Sequence, residues 1–424
     1  MSTIRVGIDA NINPDGSPGG VQQFIIGLVS GLSKRQPEDV EIVLITHPAA
    51  SDWLSPYAND RMELVTRSPS FLASASAALG LLRKYVKPLA RPILQWLRST
   101  GEVAVADDAG YFSSLNLDVV HFPSQNYIES DVPSVYNPHD LQHLHYPEFF
   151  TDKKIERRET IYRAGCDGAG QIGVASKWIK DDIVKHYGTD PEKVTVIPTA
   201  PPSEAYEAVS DADLEDVDHS LGLPESFAFY PAKSWPHKNH QNLVEAVNRL
   251  RVTEGIDVPI VLTGKRTDHW KSVQSLIDEK GVSDLVHHYG FVSEREMRCL
   301  YKLSTFTVIP TLFEAASLPM FEAWREGSPV AAANVTSLPA IAGDAALLFN
   351  PRSVEEIADT IQTLMTDEAT RESLAKAGQE RVSRFTWERT AQRYLDVYRA
   401  IAEDRVDEIS DSEVPIRMQG ESLV

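Results

Sequence analysis

The sequence predicts an α/β fold with two doubly wound parallel-sheet domains, and three observations carry that expectation. Short apolar strands alternate with longer amphipathic stretches along most of the chain, the pattern of parallel strands joined by helical crossovers. The alternation occurs twice, broken across Pro198–Pro224, where Pro198, Pro201, Pro202 and Pro224 bracket the acidic run SDADLEDVDHS. The 424 residues also suit two domains of about 100–200 residues each. Two such domains facing each other present a ligand site in the cleft at the carboxyl ends of their strands.

Residues 1–200 form the first expected domain. Arg5–Ile8 and Val40–Thr46 read as strands around a helix from Val21 to about Leu32, followed by strands at Asp118–Phe122, Ser134–Tyr136, Gln171–Val174 and Val194–Ile197. Lys177–Tyr187 reads as a helix with Ser176 as its N-cap. Residues 201–224 read as a linker or exposed loop. Residues 225–385 carry strands at Phe227–Tyr230, Pro259–Thr263, Leu285–Tyr289, Thr307–Ile309, Pro329–Ala332 and Leu347–Phe349. Two of the intervening helices open with capping boxes, Ser293 with Glu296 and Ser353 with Glu356. A last helix spans 386–402, and 403–424 form an acidic tail.

Composition narrows the function. With 41 Lys+Arg against 61 Asp+Glu the net charge is −20, so phosphate backbones repel the molecule and nucleic acid is not an expected partner. The two cysteines, Cys166 and Cys299, have no paired spacing for a metal knuckle or a disulfide framework, which suits a reducing compartment. The N-terminus lacks the apolar core of a secretion signal, and no stretch reaches the ~20 apolar residues of a membrane span, so a cytoplasmic location is expected. Residues 67–98 invert the acidic balance. Arg67, Arg83, Lys84, Lys87, Arg91 and Arg98 interleave with apolar side chains and have no acidic neighbour. Such a stretch suits peripheral contact with an anionic membrane or a lipid-linked acceptor. Pro88 and Pro92 interrupt any single helix there, and a solvated inter-domain patch is the other reading.

Four motifs carry chemistry. In Phe313-Glu314-Ala-Ala-Ser317-Leu318-Pro319-Met-Phe-Glu322 a strand is followed by a helix opening at Pro319, whose free N–H groups and dipole form a ready anion site. Glu314 and Glu322 flank it and can accept hydrogen bonds from hydroxyls, which suits a sugar–diphosphate–ribose ligand; solvated helix charges are the other reading. In Tyr230-Pro-Ala-Lys233-Ser-Trp-Pro-His-Lys238-Asn239 two lysines follow a strand and can neutralise a departing diphosphate, although surface lysines are common. Pro14-Asp-Gly16-Ser-Pro-Gly19-Gly20-Val21 is a glycine-rich turn between the first strand and helix that lets backbone approach a ligand. Asn137-Pro-His139-Asp140-Leu-Gln-His143-Leu-His145-Tyr-Pro-Glu148 is the densest polar cluster, open to three readings: a cleft histidine, a structural network or a metal site. No Gly-x-Gly-x-x-Gly fingerprint or complete P-loop occurs, so nicotinamide chemistry and ATP hydrolysis lose their usual support.

Taken in order from Arg5 to Tyr398, these motifs, with Ala175-Ser176-Lys177-Trp178, Val194-Thr-Val-Ile-Pro198 and Phe385-Thr386-Trp387-Glu388, resemble the retaining nucleotide-sugar glycosyltransferases of family four. The resemblance implies the GT-B architecture of two Rossmann-like domains facing a cleft, with the C-terminal helix crossing back to the first. It implies a donor held mainly by the second domain and a carbohydrate or lipid-linked acceptor held mainly by the first. Glu314 then meets the donor sugar hydroxyls and Glu322 the ribose. Lys233, Lys238 and the Ser317 and Leu318 amides clamp the diphosphate, Gly19 and Gly20 approach the donor, and His139 lies near the transferred sugar. Lys233 stands where the family usually has Arg, Ala315-Ala316-Ser317 where it has glycines, and Thr199-Ala200 where it has Asn-Gly. His139, Lys238 and Glu314 are the expected catalytic residues. Leaving-group stabilisation is the expected chemistry, with no bound cofactor or metal beyond the nucleotide-sugar co-substrate. A nucleotide-sugar 2-epimerase of similar fold and a non-catalytic sugar-nucleotide-binding protein are the alternatives.

Overall fold

The computed structural model describes residues 3–12, 19–48, 51–67, 105–201 and 208–406. Most of the basic 67–98 segment, 13–18 of the glycine-rich turn and the tail beyond 406 lie outside the described residues. The chain divides into two compact units, with boundaries other than those expected from the sequence. One runs to Val174, takes Ile183–Thr195 and resumes at Ala391; the other comprises Ala175–Asp182 and Val196–Thr390.

The first unit is built on a seven-stranded sheet. Its strands are β1 (Ile4–Asp9), β2 (Val40–Thr46), β3 (Met62–Thr66), β5 (Val119–Phe122), β7 (Ser134–Tyr136), β8 (Gln171–Val174) and β9 (Val194–Val196), in the order β3-β2-β1-β5-β7-β8-β9. The short β4 (Ala106–Asp107) and β6 (Ile128–Glu129) pair separately. Near-continuous apolar runs such as IVLI in β2 suit strands covered on both faces. Strand order reverses between β1 and β5, so the connections leaving their carboxyl ends diverge and open a crevice there.

The final helix, Trp387–Ala402, contributes its residues from Ala391 onward to this unit. Its dock is polar and fully paired. His121 on β5 donates Nε2–H to Asn137 Oδ1 at 2.5 Å and its Nδ1 accepts the Tyr398 hydroxyl at 2.6 Å. Asn137 Nδ2 donates to Gly173 O at 2.5 Å and to the Tyr394 hydroxyl at 2.9 Å. Burial pushes the His121 imidazole down to about 4, so it is neutral, as this pattern of donors requires. Arg399 grips Asp39 through two hydrogen bonds of 2.7 and 2.8 Å at the same helix.

The second unit holds a six-stranded sheet of β10 (Ala228–Pro231), β11 (Ile260–Thr263), β12 (Val286–His288), β13 (Phe306–Ile309), β14 (Val330–Ala333) and β15 (Leu347–Phe349), ordered β12-β11-β10-β13-β14-β15. All its pairings are parallel, and order reverses between β10 and β13. Trp387 Nε1–H to Pro201 O at 3.0 Å and Thr390 Oγ1 to Pro198 O at 2.7 Å tie the start of the last helix to the proline-rich segment.

Two expectations need correction here. The 201–224 linker contains a helix, Asp211–Leu221, opened by a capping box in which Ser210 and Asp213 bond each other's backbone N–H. Its acidic residues look like a solvated run in sequence, yet Arg295 of the Glu294–Leu303 helix pairs with both Asp213 and Asp216 at 2.7 Å. The second correction is to the Ser353 box, which is half formed. Ser353 accepts the Glu356 N–H, but the Glu356 carboxylate turns to Asn350 N–H at 2.9 Å. The Ser293–Glu296 box closes on both sides. No described helix is long and apolar enough to cross a membrane.

Candidate functional site

In the second unit, the loops leaving β10 and β13 meet at the point where strand order reverses. Lys238 ends the loop after β10 and Glu314 lies in the loop after β13, and Lys238 Nζ donates to Glu314 Oε2 at 2.6 Å. Both side chains are largely shielded from solvent, so each partner of the pair is polarised by the other in a low-dielectric setting.

Several bonds fix that geometry, and sequence reasoning missed most of their donors. Asn239, directly after Lys238, sits at φ 59° and donates Nδ2 to Pro310 O and Pro351 O, both at 2.8 Å. Asn is one of the few side chains that visit the left-handed region readily, which was the available signal. The Tyr230 hydroxyl donates to Lys238 O, and Leu312 N–H and Thr311 Oγ1 both reach His237 O. Glu314 is held by Thr336, whose hydroxyl accepts Glu314 N–H at 3.2 Å and donates to Glu314 O at 2.5 Å.

Lys233 is half-buried two residues beyond β10, and its carbonyl accepts Trp235 N–H at 2.7 Å. Opposite it, Gly264 has φ 102°, and a Cβ there would stand 2.9 Å from the backbone of Ala232 and Lys233. Only glycine lets the loops after β10 and β11 approach this closely.

The helix Leu318–Arg325 follows Glu314, starting one residue before the expected Pro319. Buried Ser317 caps it, its Oγ accepting Met320 N–H. Leu318 N–H turns back to Ala316 O at 3.1 Å, so that amide of the expected clamp is already engaged; Ser317 N–H has no acceptor among the described residues. Glu322, one turn on, accepts the Tyr301 hydroxyl at 2.8 Å. Burial pushes its carboxyl up to about 7, with Tyr301 opposing the rise. Tyr301 lies on the Glu294–Leu303 helix, and no motif marked it. Burial drives His240 down to about 3, so this neighbour of Asn239 is neutral and adds no positive charge to the edge.

In the first unit, the helix Gly20–Arg35 begins directly after Gly19, which acts as N-cap without a side-chain acceptor. Gly19 is extended at φ −114°, and a Cβ there would meet nothing within 4 Å, so its conformation does not itself require glycine. Phe24 of that helix lies edge-on to His139, centroids 5.4 Å apart. His139 has φ 66° and donates Nε2–H to Pro123 O at 3.0 Å; burial lowers its ionisation, so Nδ1 is an unprotonated acceptor. A β-carbon residue held in the left-handed region is the kind of local strain that marks functional positions. The three histidines of 139–148 do not converge. His143 pairs with Glu159 at 2.7 Å, and His145 packs its ring 5.5 Å from that of His186.

Chemically, the second unit offers two lysines, a capped helix N-terminus and two carboxylates around one sheet edge, and the first offers glycine backbone and a neutral imidazole. Residues 18–201 match the family "Glycosyltransferase Family 4", and residues 213–381 match "Glycosyl transferases group 1". The O-antigen chain mannosyltransferase B of Escherichia coli is 25% identical over 264 residues, covering 62% of this chain and 69% of that protein. The D-inositol 3-phosphate glycosyltransferase of Corynebacterium glutamicum (strain R) is 25% identical over 287 residues, 65% of this chain and 69% of the relative. In fold, the chain matches the crystal structure of Anabaena HepE in complex with UDP and glucose at a TM-score of 0.67 and 18% identity, over 94% of this chain and 100% of that one. Two consecutive family matches that cover both units, together with the shared double-sheet architecture, make this chain a family-4-like glycosyltransferase of the GT-B fold.

Proposed function

We propose that the chain moves a hexose from a nucleoside-diphosphate sugar to a hydroxyl of a carbohydrate or lipid-linked acceptor, with retention of anomeric configuration and without a divalent metal. The observation that carries this reading is the Lys238–Glu314 pair at the strand-order reversal of the second sheet, where a doubly wound fold takes its ligand. Lys238, Lys233 and the N-terminus of Leu318–Arg325 stabilise charge that grows on the diphosphate as the bond from anomeric carbon to phosphate oxygen breaks. The acceptor oxygen bonds to that carbon from the same face, and its proton passes to a phosphate oxygen of the leaving group. Glu314 orients the sugar hydroxyls and Glu322 accepts from the ribose; His139, Gly19 and Gly20 serve the same reaction from the first unit. Two lysines and a helix dipole supply positive charge, so a divalent ion is not called for.

Mannosyl transfer by the E. coli relative makes the nucleoside-diphosphate mannoses the first donors to test, and the UDP and glucose complex of HepE makes UDP-glucose the next. Thermal-shift screening of nucleotide sugars in EDTA, followed by NMR of the anomeric proton in the product, tests the reading. Stabilisation by one donor and an unchanged anomeric configuration support it. Inversion, or activity only after manganese or magnesium is added, overturns it.

A further inference from the structure

At the carboxyl edge of the first sheet, Asp9, Arg67 and Tyr111 form a polar cluster that none of the motifs above includes. Strand register brings the first two together. Asp9 pairs with Ile45, Ile45 pairs with Val65, and side chains alternate along a strand, so Arg67, two beyond Val65, falls on the same face of the sheet as Asp9. Arg67 N–H bonds Thr46 O and extends that pairing. Its guanidinium lies over the Tyr111 ring at 4.7 Å and the Phe112 ring at 5.0 Å, two cation–π contacts that fix its direction.

The cluster is under-bonded. Arg67 Nη1 and the Tyr111 hydroxyl are buried with no hydrogen-bond partner, and the only bond to the Asp9 carboxylate among the described residues comes from Asn11 N–H at 3.2 Å. Native proteins rarely leave such groups unsatisfied, and each such case calls for a ligand, a water or a function. Asp9, Arg67 and Tyr111 are each partly exposed as residues, while Arg67 Nη1 and the Tyr111 hydroxyl oxygen themselves lie beneath that surface. Asp9 and Arg67 do not form an ion pair, yet each feels the other's charge: burial pushes the Asp9 carboxyl up to about 6 and Arg67 opposes the rise. Burial raises the Tyr111 hydroxyl above its ordinary range, with Arg67 opposing and Asp9 adding to the rise.

We propose that Asp9, Arg67 and Tyr111 form an acceptor subsite that binds vicinal hydroxyls of a neutral sugar. A hydroxyl donates to the Asp9 carboxylate while its neighbour accepts from Arg67 and Tyr111, which uses each unsatisfied group once. The charge balance selects a neutral ligand. One guanidinium opposed by one carboxylate leaves no net positive charge for a phosphate dianion, and the Asp9 carboxylate repels it. The assignment rests on the reading of the chain as a sugar transferase and identifies which acceptor chemistry the first unit takes. Asp9 stands at the end of β1, beside the strand-order reversal of its own sheet.

The test is saturation-transfer NMR on the full chain with methyl α-D-mannoside, methyl α-D-glucoside and mannose 6-phosphate, repeated with Asp9→Asn, Arg67→Gln and Tyr111→Phe. At least one methyl glycoside binds wild type more tightly than mannose 6-phosphate does. Asp9→Asn and Arg67→Gln weaken that glycoside at least tenfold, while nucleoside-diphosphate affinity stays at the wild-type value and circular dichroism shows an intact fold. Tyr111→Phe, which preserves the ring under Arg67, weakens it by a smaller factor. Tighter binding of mannose 6-phosphate, glycoside affinity unchanged in the variants, or no glycoside binding by wild type overturns the subsite. Failure of the nucleoside diphosphate to bind wild type removes the transferase reading instead, so the two failures are distinguishable.

Discussion

Glu322 has two demands on one carboxylate. Burial holds its proton to about pH 7, whereas accepting hydrogen bonds from a ribose calls for the ionised form. Because the folded-state value lies above that of an unfolded glutamate, the folded state binds the extra proton between about pH 4.5 and pH 7, and stability contributed by the protonated form is lost as pH rises through that window. Glu322→Gln is therefore expected to raise the melting temperature relative to wild type more at pH 8 than at pH 5. The same variant weakens nucleoside-diphosphate binding at pH 8 and abolishes the loss of affinity that wild type shows between pH 8 and pH 6. Glu314→Gln is expected to behave differently. It binds the nucleotide as wild type does but transfers sugar poorly if, as proposed, its carboxylate meets the sugar and the lysine rather than the ribose. Titration calorimetry across pH, with turnover assays, separates the two; matched behaviour of both variants with wild type would remove both glutamates from the donor site.

At the scale of elements, the short joint between Lys238 and the helix His240–Arg249 positions the lysine. Asn239 joins it to the carbonyls before Phe313 and after Phe349, so three loops at the sheet edge share one side chain. Asn239→Ala removes the side-chain donor from Pro310 O, leaves Pro351 O to Asn242 Nδ2 alone, and places a β-carbon residue in the left-handed region without compensation, a loss of about 2–4 kcal/mol. Denaturant unfolding measures that loss. Asn239→Gly relieves the backbone term alone and is expected to recover part of the stability while turnover stays low. Wild-type turnover in either variant would show that Lys238 does not depend on the joint.

The same scale shows what the sequence made legible. The strands of the second sheet and all but β3 of the first could be read because buried parallel strands must be apolar nearly throughout, and IVLI of β2 or VAAA of β14 has no polar alternative, whereas the half-exposed edge strand MELVT of β3 carries no such run. The helix Asp211–Leu221 was hidden because its stabilising partner, Arg295, lies about eighty residues away, so local composition resembled a linker. Lys238 and Glu314 could be singled out by charge beside predicted loop ends, and their direct pairing follows from the reversal of strand order. Tyr301, Asp9 and Tyr111 could not be found this way, and Arg67 stood out only as part of the basic 67–98 segment, since strand register and helix packing bring them to their places.

For the whole molecule, the last helix is held to the first unit by a network in which every polar atom has one assigned role. His121 must stay neutral for Nδ1 to accept the Tyr398 hydroxyl. Its folded-state value, about 4, lies below that of an exposed imidazole, so its contribution to stability is fully present above pH 6.5 and is lost as pH falls toward 4. His121→Phe is expected to cost about 2–4 kcal/mol at pH 7.5, because Asn137 Oδ1 and the Tyr398 hydroxyl lose their partner in a buried site. The gap between variant and wild type then narrows between pH 6.5 and pH 4.5, where only wild type has a buried imidazole to charge. Thermal unfolding across pH measures this, and a gap that stays constant would contradict the tautomer assigned to His121.

The central claim is that positive charge on the second sheet's edge carries the departing nucleoside diphosphate. Single-turnover transfer from the saturating donor in EDTA, compared between wild type and Lys238→Ala, tests it most directly. Losing one preorganised electrostatic contact of this kind reduces the rate by about 100-fold or more, with Lys233→Ala milder. A rate for Lys238→Ala equal to that of wild type, at saturating donor and with its fold intact, would contradict the claim.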